Sequence, residues 1–402
     1  MKDVFLKYPM LVVAAFFALG IVAGVEVFPT LAWPFAAWAA VGCAVAAVLG
    51  FKGKGSLSHS VFLLMSVFAL GFLRIATSDD VQAYSYQTKK ENSVRKAIIA
   101  RMNQLFDEQE ATTEGGVVVA MTMGDKRDIN RDLRADYSES GAAHVLALSG
   151  MHIGIVFFLL RLLRRRPSGP IFSWDFLLVE ALIIAAIWVY VYLVGMPPSA
   201  VRAATMVSLY ELMSLQYRQR ISLNAIGATA FVMLLIHPLD LYQISFQLSF
   251  SAVIGIVVMF PMLYSLLPKP KNRIVVWLWS SVCVSLAAQI FVTPLIAYHF
   301  NYISAHAVWT SLVVIPCATI IVSLSMLLLV FLKLTPIASI IVVPLKWVAH
   351  AMNTSVAWFA ALPGATISPV HLNRTQVLTL YLAIFCTCLL LARITKKNKL
   401  IS

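Results

Sequence analysis

Charged side chains are scarce in this sequence: Asp, Glu, Lys and Arg make up only 12% of its 402 residues, while 60% are hydrophobic. A soluble globular domain averages about 25% charged residues. A chain this apolar cannot cover its surface around one aqueous core, which excludes an ordinary soluble enzyme and leaves lipid as the solvent. The apolar runs are continuous rather than alternating, so they predict membrane-spanning helices and not the strands of a β-barrel.

Motifs for disulfide, metal and ATP chemistry are missing as well. The five cysteines all fall inside apolar runs and form no Cys-x-x-Cys pair, so they predict small buried side chains. No Gly-rich phosphate loop with its Lys occurs, which excludes ATP hydrolysis by that route. The sequence therefore predicts no catalytic residue, no metal and no cofactor.

Long apolar runs dominate what is present. They predict an all-α polytopic membrane protein of about twelve transmembrane helices, some of them broken or re-entrant. The first run follows a basic start like that of a signal peptide, but two more runs follow it closely, so we expect an uncleaved helix. The runs are roughly 10–28, 33–50, 57–76, 142–161, 173–194, 199–216, 221–236, 249–267, 275–297, 306–332, 337–361 and 376–393.

One long polar interruption, residues 78–140, separates the third run from the fourth. It holds 12 of the 18 acidic residues and 9 basic ones, a net charge of −3. The rest of the chain has 22 basic and 6 acidic residues, a net charge of +16. With the N-terminus inside, 18 of those 22 bases fall at predicted cytoplasmic sites, as basic residues of membrane proteins usually do. We therefore expect both termini in the cytoplasm and residues 78–140 outside.

These patterns divide the chain into four parts: transmembrane helices over 1–77, an extracytoplasmic linker over 78–140, the main transmembrane domain over 141–394 and a basic cytoplasmic tail over 395–402. The linker is predicted to contain a short apolar element ending in a turn at Gly124. It also contains residues at helical spacing that predict an amphipathic helix: Val94, Ala97, Ile98, Arg101, Met102 and Leu105.

Two histidines lie inside the fourth apolar run. On a continuous helix, His144 and His152 would share one broad face, because they are eight residues apart. Ser149 and Gly150 between them can loosen the backbone. Polar groups inside a membrane either face a cavity or hydrogen-bond a neighbouring helix, and both interpretations stay open here.

A second polar group opens the sixth run. Pro197 and Pro198 precede a helix start, where a missing N–H is harmless, and Ser199 can cap that helix. Arg202 then lies in the first turn. It either snorkels to the membrane surface or supplies a cation to a polar path for phosphates.

Glutamines and serines mark two later runs. Gln243, Gln247 and Ser251 form one polar stripe if their segment is helical, which suits either a pore lining or hydrogen bonds between helices. Gln289 precedes Pro294, which is expected to kink its helix and free a carbonyl group. Broken helices at membrane depth are tolerated where they line cavities.

These runs, taken together and in order, resemble the membrane domain of the ComEC family of bacterial competence proteins. The resemblance covers roughly residues 111–366. Its motifs are M-T-M-G-D-K-R-D-I, H-V-L-A-L-S-G-M-H-I-G, G-M-P-P-S-A-V-R-A-A-T-M, H-P-L-D-L-Y-Q-I-S-F-Q-L-S-F and T-P-L-I-A-Y-H-F. The family's OB-like domain would not fit into 78–140, and no H-x-H-x-D-H nuclease motif occurs. We therefore expect neither domain and no enzymatic activity.

The resemblance implies an inner-membrane channel for single-stranded DNA during natural transformation. It also implies a periplasmic DNA receptor and a cytoplasmic ATP-driven motor as partners, with a homo-oligomer possible. The polar residues named above would then line the DNA path. Two alternatives remain: a transporter of another polar solute on the same scaffold, and a non-conducting scaffold of an uptake complex.

Overall fold

The computed structural model describes residues 8–27, 57–76, 93–162, 174–216, 222–266 and 272–401. Regular structure in these ranges is helical apart from one pair of two-residue strands. The elements are α1 (Pro9–Val22), α2 (Leu57–Ala76), α3 (Ser93–Asp107), α4 (Thr112–Met123), α5 (Arg131–Glu139), α6 (Gly150–Leu162), α7 (Trp174–Leu193), α8 (Pro198–Gln216), α9 (Ser222–Ile236), α10 (Ile244–Tyr264), α11 (Arg273–Phe300), β1 (Ile303–Ser304), α12 (Ala307–Phe331), α13 (Thr335–Ala360), β2 (Thr366–Ile367) and α14 (Arg374–Ile401).

Five of the described helices, α10 to α14, are long and apolar enough to cross a membrane. Shorter apolar helices accompany them, among them α1, α6 and α9. The predicted all-α polytopic membrane fold is therefore confirmed. The predicted span 33–50 lies outside the described residues, and each of the other predicted spans contains a helix. The number of spans stays a prediction.

The fourth predicted span differs most from the structure. A helix over 142–161 was expected, but α6 begins only at Gly150, and residues 141–149 form an irregular turn. Gly141 opens this turn with φ 82°, a left-handed conformation that favours glycine. At 13 residues, α6 is about 20 Å long, shorter than the hydrocarbon layer. The prediction that His144 and His152 share one helix is therefore wrong.

The chain divides into two compact units. The first comprises Met1–Thr88 and Ser208–Gln247, and the second comprises Lys89–Val207 and Leu248–Ser402. In the first unit, α1 packs against α2 and α9 at glycines. A Cβ atom on Gly71 would overlap the carbonyl oxygen of Phe17, and one on Gly20 would overlap that of Phe68. Small residues bring helix backbones together in this way where apolar burial gives no driving force between helices in lipid.

Replacing Gly71 with Ala is expected to destabilise the first unit. The new Cβ would meet the backbone of α1, and overpacking of this kind costs about 1–3 kcal/mol. The thermal unfolding midpoint of the detergent-solubilised protein measures the effect. Gly24→Ala is the matched control, because its Cβ would lie 3.4 Å from the Ile75 side chain, an ordinary contact. Equal midpoints for the two variants would contradict this account of the packing.

The core of the second unit is built around α12 and α13. These two helices pack against each other and against α4, and α6 also contacts α12. Their facing side chains are apolar and buried: Val314, Ile321, Leu328, Ile341, Leu345 and Met352. Strand β1 follows α11 in the chain and strand β2 follows α13. The two strands pair antiparallel, with Ile303 opposite Ile367. Tight loops close the ends of the long helices.

The described part of the polar interruption, residues 93–140, is folded and belongs to the second unit. The predicted amphipathic helix is present as α3, but its buried residues are Ile99, Met102, Leu105 and Phe106, while Val94 is exposed. The buried face is therefore partly different from the predicted one. The predicted apolar element is α4, and its residues from Gly115 to Met123 are all buried. It ends at Gly124 in the left-handed conformation, as the predicted turn requires.

Candidate functional site

The start of α6 is shaped by a hydrogen bond between Ser149 and His152. The Ser149 backbone N–H donates to Nδ1 of His152 at 3.1 Å, and the Ser149 hydroxyl lies 2.9 Å from the same nitrogen. A side chain three residues into a helix that accepts the N–H of the N-cap residue is half of a capping box. This bond explains why the helix starts at Gly150 rather than at residue 142.

The same bond fixes the protonation pattern of a neutral His152. Because Nδ1 accepts a hydrogen bond, the ring proton of the neutral imidazole lies on Nε2. The His152 side chain is completely buried, and Nε2 has no partner among the described residues. Buried donors are normally satisfied by protein or water. His152 therefore presents a donor for water or a polar group inside the second unit.

The start of α8 is tied to this segment. The Ser199 hydroxyl donates to the Leu148 carbonyl oxygen at 2.5 Å. The sequence predicts that Ser199 caps its own helix, but this bond joins the start of α8 to the turn before α6. Both prolines are expected to precede the helix, but α8 begins one residue earlier, at Pro198, and the Pro197 carbonyl accepts the N–H of Ala200. We call Leu148, Ser149, His152 and Ser199 the α6–α8 junction.

Arg202 lies one turn into α8, next to this junction. Its side chain is only 2% exposed, so it lies inside the protein and not along its surface. The neighbouring Ala203 has its Cβ 3.6 Å from the position that a Cβ on Gly150 would take. Ala203 follows Arg202 directly, so this local contact brings the first turn of α8, which contains Arg202, next to the start of α6.

His144 is near the junction but in a different setting. It lies in the irregular turn and is exposed, and its Nδ1 is 3.2 Å from the Gly141 carbonyl oxygen. A neutral His144 with its proton on Nδ1 would donate to that carbonyl. The structure thus brings His144, Ser149, Gly150, His152 and Ser199 together, although not on one helix.

The predicted stripe of Gln243, Gln247 and Ser251 is incomplete, because only Gln247 and Ser251 lie on a helix. Gln243 is extended and precedes α10, which begins at Ile244. Its side-chain NH2 donates to Asp240, and that of Gln247 donates to the Leu241 carbonyl oxygen. Both glutamines therefore bond to residues of the 3-10 turn Pro238–Tyr242, and both belong to the first unit.

The remaining predicted residues belong to the second unit. Ser251 is half-buried on α10. Gln289 is half-buried on α11, and Pro294 is buried within the same helix, which is continuous from Arg273 to Phe300. That these residues line a solute path stays a prediction.

The loop after α4 contains an ion pair that was not singled out from the sequence. Arg127 Nε donates to both carboxylate oxygens of Asp125, each at 3.0 Å. These bonds hold the pKa of the Asp125 carboxyl below its usual range, because they favour the charged form. The pair orders the turn that follows Gly124.

Sequence reasoning also missed polar residues in the middle of α13. Lys346 Nζ donates to the Gln109 carbonyl oxygen at 2.7 Å, and His350 Nδ1 lies 2.9 Å from a carboxylate oxygen of Glu114. The sequence did indicate that Lys346 is unusual. It is the one Lys or Arg in the predicted span 337–361, and it is not among the 18 bases at predicted cytoplasmic sites.

Comparison with known proteins agrees with the motifs. Residues 121–394, about two thirds of the chain, match the family described as "Competence protein". The chain is 31% identical over 233 residues to "ComE operon protein 3" of Bacillus subtilis, covering 56% of this chain and 27% of that protein. It is 24% identical over 228 residues to "Recombination protein 2" of Haemophilus influenzae, covering 54% of this chain and 28% of that protein.

A third relative is "Uncharacterized protein YcaI" of Escherichia coli, 28% identical over 214 residues, with 51% of this chain and 27% of that protein covered. The chain therefore spans less than a third of the length of these curated relatives. No solved structure matches. The matched range includes α6, α8 and the α6–α8 junction. This chain belongs to the Competence protein family.

Proposed function

We propose that this chain forms a path for single-stranded DNA across the bacterial inner membrane during natural transformation. Membership of the Competence family is the observation that carries the proposal. The proposal extends to partners: a periplasmic receptor that delivers DNA and a cytoplasmic ATP-driven motor that pulls it. The motor is needed because the sequence has no phosphate-binding loop of its own.

The α6–α8 junction supports this function physically. A phosphate backbone cannot enter hydrocarbon, so its path must offer hydrogen-bond donors, some positive charge and water. The irregular turn over 141–149 interrupts a predicted span, and non-helical backbone at membrane depth occurs where it is buried in protein or lines a cavity. His152 offers a buried donor, and Arg202 offers a permanent cation nearby.

Binding of labelled single-stranded DNA to the purified chain in nanodiscs tests the proposal. We expect binding that weakens steeply with salt, because phosphate contacts release counterions. Binding of a small polar solute in place of DNA would indicate a different transporter. Capture of uptake proteins without either ligand would indicate a scaffold.

That the chain itself does not cut DNA stays a prediction, which a nuclease assay of the same preparation tests.

The proposed orientation places both termini and the basic residues at 164–166 in the cytoplasm, with residue 110 accessible from the outer side. The asymmetry of Lys and Arg between the predicted loops is its basis. Single cysteines at these sites, in a chain whose native cysteines are replaced, should be labelled by impermeant reagents from the expected sides. The native cysteines to replace are Cys43, Cys283, Cys317, Cys386 and Cys388. Labelling of 78–140 only from the cytoplasm would overturn this topology.

A further inference from the structure

The segment from α3 to α5 runs along α13 for most of that helix's length. Four contacts, taken in order along α13, join the two. Arg101 donates to the Thr335 hydroxyl at 2.8 Å, Lys346 to the Gln109 carbonyl oxygen, His350 contacts Glu114, and the Tyr137 hydroxyl donates to Asn353 at 2.8 Å. From Thr335 to Asn353 an α-helix rises about 27 Å. The contacts therefore cover almost the thickness of a hydrocarbon layer, roughly 30 Å.

The depth of these contacts follows from α13 itself. This helix has 26 residues and is one of the five that can cross a membrane. Its midpoint lies between residues 347 and 348, so Lys346 and His350 flank the middle of the span. If α13 crosses the membrane, then Gln109 and Glu114 lie near mid-depth as well. The acidic composition of 78–140 had suggested that the whole segment stays outside.

The apolar part of the segment suits such a position. Helix α4 packs against α12 and α13, and its residues from Gly115 to Met123 are buried in protein. The Tyr190 hydroxyl on α7 donates to the Thr122 carbonyl oxygen at 2.8 Å, which ties the end of α4 to a further helix. A helix enclosed in this way needs no aqueous surroundings.

The polar side of the segment does not suit lipid. The His350 side chain is 62% exposed, Lys346 is half-buried, and Glu108 and Glu110 are exposed on the turn after α3. A charged side chain at the bilayer centre costs about 2.5–3.5 kcal/mol on insertion scales. A surface with several such groups at one depth is stable only against water or against polar protein.

We propose that residues 93–139 form an insertion at membrane depth whose polar side, together with Lys346 and His350 of α13, is the wall of a water-filled cavity. The segment has 9 acidic and 7 basic residues, a net charge of −2, so the wall carries charges of both signs and does not hold a polyanion tightly. A conducting path needs such weak binding, because a solute that binds tightly cannot leave. The inference does not depend on which polar solute crosses.

Cysteine reactivity at matched depth tests this cavity. In a chain without native cysteines, His350→Cys and Glu108→Cys are exposed to an impermeant, positively charged methanethiosulfonate reagent in intact membranes. Glu108→Cys leaves the His350–Glu114 contact intact, so it reports the cavity even if His350→Cys perturbs the fold. Ile320→Cys is the control, because Ile320 lies at the middle of α12 and is 46% exposed on its apolar surface.

We expect both test cysteines to react about tenfold faster than the control or more, because the reacting thiolate forms in water and not in hydrocarbon. If neither test cysteine reacts, lipid or another protein covers this face and the cavity is wrong. If Ile320→Cys reacts equally fast, the surrounding helices do not lie in hydrocarbon and the depth assignment is wrong. DNA binding in nanodiscs is read separately, so failure of the cavity and failure of the DNA path are distinguishable.

Discussion

Replacing Arg202 with Ala is expected to lower DNA uptake by about tenfold or more, which corresponds to a loss of ~1.4 kcal/mol in the interaction with the moving strand. The Arg202 guanidinium is always charged, whereas histidine can be neutral near pH 7. Because the side chain is buried, its removal can also affect folding. Nuclease-protected labelled DNA inside competent cells is therefore measured at equal amounts of membrane-inserted protein.

The Arg202→Lys variant separates two roles of the guanidinium. A point charge is restored by lysine, so uptake should recover in part, whereas a bidentate contact with phosphate is not restored. Arg161→Ala is the matched control, since it removes the same charge from the end of α6, where Arg161 lies over the Phe157 ring at 5.3 Å. Wild-type uptake by Arg202→Ala at equal abundance would show that Arg202 has only a structural role.

Gly141→Ala is expected to abolish most uptake by displacing the turn before α6. A Cβ at this position would lie 2.6 Å from the Ala307 Cβ and 2.8 Å from the Ser304 hydroxyl oxygen. The φ of 82° adds strain of about 1–2 kcal/mol for any residue with a side chain. The turn must therefore move, and with it the backbone that leads to Ser149 and His152.

Gly154→Ala is the control for this variant. Within the described part of the chain, no atom outside the backbone of α6 and the two neighbouring residues lies within 4 Å of a Cβ on Gly154, and its helical position favours Ala over Gly by about 1 kcal/mol. We expect Gly154→Ala to keep uptake and raise the thermal unfolding midpoint slightly, while Gly141→Ala lowers both. Equal uptake and stability in the two variants would contradict the role assigned to the turn.

The fold was largely predictable because long apolar runs in lipid allow few structures. The start of α8 followed from Pro198, and the end of α4 followed from Gly124. The start of α6 was not predicted, because hydropathy continues through residues 142–149 and does not report a local hydrogen bond. The spacing Ser149-x-x-His152 was the available signal, with histidine in the place that glutamate or glutamine usually takes in a capping box.

Tertiary contacts account for the other differences. Gln243 and Gln247 were expected on one helical stripe, but the turn over 238–242 offers an acidic side chain and a free carbonyl group that bind their amides. The acidic composition of 78–140 gave no indication that α4 lies in the core, because charge counts average over a segment whose residues from Gly115 to Met123 carry no charge and are buried. Lys346 could have been noticed as a lone base inside a predicted span.

Photo-cross-linking of DNA in transit tests the proposed path most directly. A photoreactive amino acid is placed at position 144, which is exposed beside the α6–α8 junction, and at position 320 as a control on the apolar surface of α12. Competent cells that depend on this chain are given labelled DNA and irradiated during uptake. We predict covalent adducts with single-stranded DNA at position 144 and none at position 320. DNA entering at the normal rate with no adduct at position 144, or with equal adducts at both positions, would contradict the account.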